Sequence, residues 1–160
     1  MVYGLAGVVL IAMAVLAGLS HRARKTPMAG NPGDRLRPCP ESPNCVCSED
    51  TGSRAYVPPL VFDVDPVVAW QAAAAAVRAA GGDLQWADRL YLHATFSTRI
   101  FRFKDDLELR LDRDRGVIQV RCGSRVGYSD LGVNRRRVRR LRRLFERQLY
   151  PGSAASSKRT

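Results

Sequence analysis

The chain predicts an α+β fold in two layers, preceded by a transmembrane helix. The layers are a helix, a four-stranded antiparallel meander and a C-terminal helix, with both helices on one face of the sheet. Three observations carry this. Apolar residues recur at helical spacing in two segments, one opening at Asp65-Pro66 and one closing before Pro151. Between them, four segments alternate apolar and polar residues with short connections. The first twenty residues carry no charged side chain. Consecutive strands with short connections pair antiparallel, and the apolar face of such a sheet needs a helical layer.

Of the 160 residues, those beyond the apolar start suffice for one core. The net charge of +11 favours anionic surroundings: nucleic acid, acidic lipid or an acidic partner. Leu5 to Leu19 is apolar throughout. A segment of about 20 such residues can cross a bilayer. A cleaved signal peptide normally opens on basic residues, and Met1-Val-Tyr-Gly has none. Residues 1–20 therefore read as an uncleaved single-pass anchor in the inner membrane, with lipid as its partner. Residues 21–38, with Pro27, Gly30, Pro32, Gly33 and Pro38, read as a flexible linker. Residues 39–150 form a single α+β domain, and 151–160 a disordered tail. Arg22, Arg24 and Lys25 after the span favour a cytoplasmic domain, whereas the cysteines favour the other side.

Cys39, Cys45, Cys47 and Cys122 allow three complete pairings. Pro40 and Pro43 bend the chain toward a loop closed by Cys39 and Cys45, which would leave Cys47 for Cys122. A zinc site on four thiolates lacks the usual C-x2-C spacing. Four free thiols in a reducing compartment are the third arrangement.

Val57 to Phe62 reads as an extended entry. Asp65 then caps a helix whose first position is Pro66. Val67, Trp70, Ala74 and Val77 share one face, and Gly81-Gly82 ends the helix. Leu84 and Trp86 alternate with polar neighbours. Leu90, Leu92, Ala94 and Phe96 face inward opposite Tyr91, His93, Thr95 and Ser97. Leu107, Leu109 and Leu111 face inward opposite Asp106, Glu108 and Arg110, and Ile118, Val120 and Cys122 alternate last. The final helix is expected to begin near Ser129 or Asp130 and to run to Leu149. Leu131, Val138, Leu141, Phe145 and Leu149 form its stripe, and Arg135, Arg136, Arg139, Arg140, Arg143 and Arg147 its outer surface.

The run Arg121 to Asn134 joins the last strand to that basic helix and holds the densest polar chemistry. Gly123, Gly127 and Gly132 give it backbone freedom. Ser124, Arg125, Tyr128, Ser129 and Asp130 supply donors and acceptors before a helix N-terminus, where anions bind. Arg125, Tyr128, Arg135 and Arg136 are the candidate ligand-binding residues. Asp105, Asp106, Gly127, Asp130, Gly132 and Asn134 are read as structural. Internal pairing of Arg125 with Asp105, Asp106 or Glu108 is the plain alternative to ligand capture. No catalytic triad order, phosphate loop or standard metal-ligand pair is present, so neither a catalytic residue, a metal nor a cofactor is assigned.

Four ordered motifs add a resemblance: Cys39-Pro-Glu-Ser-Pro-Asn-Cys45; Tyr91-Leu-His-Ala-Thr-Phe96 with Arg99; Phe103-Lys-Asp-Asp-Leu-Glu108; and Ser124 through Arg137. From Cys39 to Phe145 the chain resembles the family known as domain of unknown function 1499. The resemblance implies a domain boundary and positions to watch, with no activity attached. Relatives often carry export signals or anchors, which implies an extracytoplasmic domain in the cell envelope. Serine is expected in relatives at positions 47 and 122, and two cysteines there imply a disulfide between Cys47 and Cys122 beside Cys39–Cys45.

Two function classes follow. One is a membrane-anchored envelope module that binds or assembles on an anionic ligand or acidic protein partner. The other is a hydrolase-like or transferase-like enzyme using His93 with Asp105, Asp106 or Glu108, a general acid–base pairing. Nucleic acid fits poorly, because the arginines lack interleaved aromatics.

Overall fold

A computed structural model describes residues 14–15, 34–97 and 103–151. The alternating segments form β3 (Asp83–Ala87), β4 (Tyr91–Ser97), β5 (Lys104–Asp112) and β6 (Val117–Ser124), each antiparallel to the next. Two shorter strands precede them, β1 (Cys45–Cys47) and β2 (Leu60–Val61). Helix α1 (Pro66–Ala79) lies between β2 and β3, and α2 (Val133–Leu149) follows β6.

The sheet therefore has six strands, not the four of the expected meander. Both extra strands pair antiparallel with β6, β2 along Val117 and Ile118 and β1 along Arg121 to Gly123. Laid along one edge, they cover backbone groups that a four-stranded sheet would leave open. At three and two residues they are too short for alternation to show. The expected transmembrane helix is not part of the fold described: no helix among the described residues is long and apolar enough to cross a membrane. Of the apolar run 1–20, only Ala14 and Val15 are described. Of the tail expected over 151–160, only Pro151 is among the described residues.

Leu92, Leu107, Leu109, Leu111, Ile118, Val120 and Cys122 form the core face of the sheet. Burying each large apolar side chain stabilises by roughly 1.5–3 kcal/mol. The helices cover this face, α1 through Ala69, Ala72, Ala73, Ala76 and Val77 and α2 through Val138, Leu141 and Phe145. The buried side of α1 is thus its alanine side, and Val67, expected inward, is 55% exposed. Small side chains let a helix approach its neighbours closely. Trp70 sits at the flank, its indole N–H donating to the Asp88 carbonyl at 2.8 Å.

Helix α2 begins at Val133, later than expected, because Leu131 (φ 53°) and Gly132 (φ 76°) are both left-handed and break the helical path. Leu131 leaves the apolar stripe and is 84% exposed. At the other end of the chain, Leu36 is buried, and its N–H donates to Glu49 Oε2 at 2.7 Å. The last residues of the expected linker therefore pack on the domain.

The polar face of the sheet is covered as well. Leu36 packs with Cys39, Cys47 and Tyr91 over it. Tyr91, His93, Thr95, Asp106, Glu108, Gln119 and Arg121 are all buried there.

Candidate functional site

Register explains which polar groups meet. His93, Glu108, Arg121 and Cys47 stand in one row across β4, β5, β6 and β1, and Thr95, Asp106, Gly123 and Cys45 stand in the next. In the first row, Glu108 accepts from Tyr91 Oη at 2.9 Å and from Arg121 Nη1 at 2.7 Å. In the second, Asp106 meets His93 Nε2 at 2.7 Å and takes both arms of Arg125, Nε at 2.9 Å and Nη2 at 2.8 Å. At the end of the sheet, Arg110 pairs with Glu49, which also accepts from the Leu36 amide.

Burial alone would push the Asp106 carboxyl up, but its bonds to His93 and Arg125 hold it below the ordinary carboxylate range. Burial and the neighbouring Glu108 charge raise the Tyr91 phenol far above its usual value, so it stays a donor. Each buried carboxylate is thus met by a guanidinium, the geometry in which such pairs persist away from water. The Nε of Arg121 has no hydrogen-bond partner among the described residues.

Asp105 does not join them. It faces the helices and receives Arg137 Nη2 at 2.7 Å. Arg137 also lies 4.6 Å from the centre of the Phe96 ring and donates to Asn134 Oδ1. Of the carboxylates proposed for His93, the structure therefore brings Asp106 to it, engages Glu108 elsewhere and turns Asp105 to the opposite face. Arg137 escaped the sequence reading, although its position three residues after Asn134 and four before Leu141 places it on the flank of the buried stripe.

Asn134 is fully buried and ties distant segments together. Its Nδ2 donates to the Asn44 carbonyl at 2.9 Å and to Ser124 Oγ at 3.0 Å. Asn44 in turn donates to the Gly127 carbonyl. The loop closed by the Cys39–Cys45 disulfide is thereby fastened to the turn before α2. Gly123 leaves room for it, since a Cβ there would lie 3.2 Å from Cys45 Sγ.

Cys47 and Cys122 are free and buried, a correction to the expected second bond. Cys47 stands opposite Arg121 and Val46 opposite Cys122, so pleating sends the two sulfurs to opposite faces. Burial pushes the Cys47 thiol up to about 11 and the Cys122 thiol up to about 12. The disulfide likewise removes two of the four thiolates that a zinc site would need.

Between the disulfide loop, residues 50–55 and the turn before α2 lies a cleft of about 520 Å³. Tyr128, Asp130 and Arg135 line it together with Arg54 and Asp50. Asp130 accepts from the amides of Gly132 at 2.9 Å and Asn134 at 2.6 Å. Arg135 donates to the carbonyls of Tyr56 at 2.8 Å and Arg54 at 2.6 Å. Of the four candidate binding residues, Tyr128 and Arg135 thus share this cleft, whereas Arg125 is buried on Asp106. Arg136 lies outside the lining and donates to the Leu131 carbonyl at 2.9 Å.

Arg136 opens a stripe. With Arg139, Arg140, Arg143 and Arg147 it forms the exposed side of α2, opposite Asn134, Val138, Leu141 and Phe145. None of these five arginines makes an ion pair among the described residues.

A comparison with curated proteins finds no match to this chain. The model of the family described as protein of unknown function (DUF1499) matches residues 35–145, from the packed segment beside Leu36 to the last core residue of α2, and the chain belongs to that family.

Proposed function

We propose that the domain is a binding or assembly module for an anionic ligand or acidic partner, and that the outer side of α2 is the surface that binds. The contrast between two sets of arginines carries this reading. Arg35, Arg110, Arg121, Arg125 and Arg137 each have a carboxylate partner. The five on the outer side of α2 have none among the described residues, so their charge is available to something outside the domain. Guanidinium groups suit carboxylate and phosphate alike.

The Cys39–Cys45 disulfide supports a place outside the cytoplasm, where such bonds persist. A second reading, a hydrolase-like or transferase-like enzyme on His93 and Asp106, has the 2.7 Å contact between them in its favour. Against it, Asp106 is also bound by both arms of Arg125, which suits a fixed ion pair better than a proton shuttle.

The test is retention of the full chain on immobilised polyglutamate, released by salt. The double variant Arg139→Glu/Arg143→Glu should lose retention while melting as the parent does. Unchanged retention would refute the reading.

A further inference from the structure

We infer that the anionic partner of the α2 surface is a phospholipid bilayer, met by Tyr128 and Leu131 together with the arginine stripe. This rests on the binding reading above and names its ligand. Two observations carry it beyond charge.

The first is the presentation of apolar side chains. Leu131 is 84% and Tyr128 77% exposed, in the turn directly before α2. Leu131 also has a positive φ of 53°, a left-handed conformation in which a Cβ crowds the backbone and which is common only for glycine and, through local hydrogen bonds, asparagine and aspartate. A leucine here neither fills the core nor suits its backbone. It is nonetheless held in place: its N–H donates to Ser129 Oγ at 3.2 Å and its carbonyl accepts from Arg136 Nη1 at 2.9 Å. Asp130, next to it, is bonded to two further amides.

The second is position. The residue that grips the Leu131 carbonyl, Arg136, is the first of the exposed stripe continued by Arg139, Arg140 and Arg143. An apolar side chain, an amphipathic aromatic and a row of guanidiniums on adjoining surface match the layers of an anionic bilayer. Acyl chains take the leucine, the headgroup region takes the tyrosine ring and the phosphates take the arginines. A merely acidic protein would use the arginines and leave Leu131 without a role.

The experiment places a reporter at the tip. The full chain carrying Leu131→Trp is mixed with phosphatidylglycerol or phosphatidylcholine vesicles containing brominated acyl chains, and the parent chain supplies the background from Trp70 and Trp86. Fluorescence at the tip reports local insertion however the rest of the chain holds to the vesicle. We expect blue-shifted, quenched emission with phosphatidylglycerol and none of this with phosphatidylcholine. Adding Arg139→Glu/Arg143→Glu should weaken the anionic response about 25-fold or more, at roughly fivefold per arginine removed from the surface. An unquenched tip in phosphatidylglycerol overturns the inference. If polyglutamate still retains that protein, the stripe serves an acidic protein; if retention is lost as well, the binding reading falls with it.

Discussion

At the scale of single residues, Asp106 and Arg125 decide how the polar face of the sheet holds. Their side chains are 0% and 5% exposed, so removing either breaks an ion pair held away from water. Breaking a buried pair in this way costs about 3–5 kcal/mol. Arg125→Gln and Asp106→Asn should each lower the urea midpoint strongly, and the double variant should lose less than the sum. The Asp106 carboxyl titrates lower in the fold than in the unfolded chain, so its contribution is present above the unfolded value of about 4 and vanishes as pH falls through the lower folded value. The gap in stability between parent and Asp106→Asn should therefore close in acid, which urea titrations across that range would show. Equal midpoints at neutral pH would mean that the pair does not stabilise the fold.

Among the elements, the start of α2 is set from outside the helix. Gly132 stands at the N-cap without a side chain to offer. Asp130 reaches forward instead and accepts from two amides, doing what an N-cap carboxylate does. Asp130→Ala should lower stability by about 1 kcal/mol, the usual size of a lost cap. A larger loss would mean that the tie from Asn134 to Asn44 fails with it. Denaturant melts of Asp130→Ala and Asn134→Ala separate the two. At the opposite edge, β3 stays exposed along most of its length, with an irregular register between Leu84 and Trp86. Such a break interrupts the regular ladder that would invite another strand.

The molecule as a whole is closed by one short covalent loop and many non-covalent ties. Alkylation of protein denatured without reductant should find two thiols, Cys47 and Cys122. No labelled thiol would restore the second disulfide, and four would remove the first. In the native protein at mildly alkaline pH both should react slowly, because burial raises both thiols. Reducing Cys39–Cys45 should cost about 2 kcal/mol, as expected for so short a loop.

What was legible in the chain was local. Asp65-Pro66 marked the start of α1, the alternation from Leu92 to Cys122 marked β4 to β6 and their inward faces, and four ordered motifs pointed to the family. Each depends on neighbours a few residues apart, where period and capping act. Other decisions belonged to the tertiary structure. Pairing with β6 turned Cys45–Cys47 and Leu60–Val61 into strands. Register set Asp106 beside His93 and Arg125 while turning Asp105 toward Arg137, and it separated Cys47 from Cys122. The packing of Leu36 buried a polar face that alternation alone would leave in water. These outcomes depend on which residues meet across long stretches of chain, and hydrophobic period carries no information about that partner.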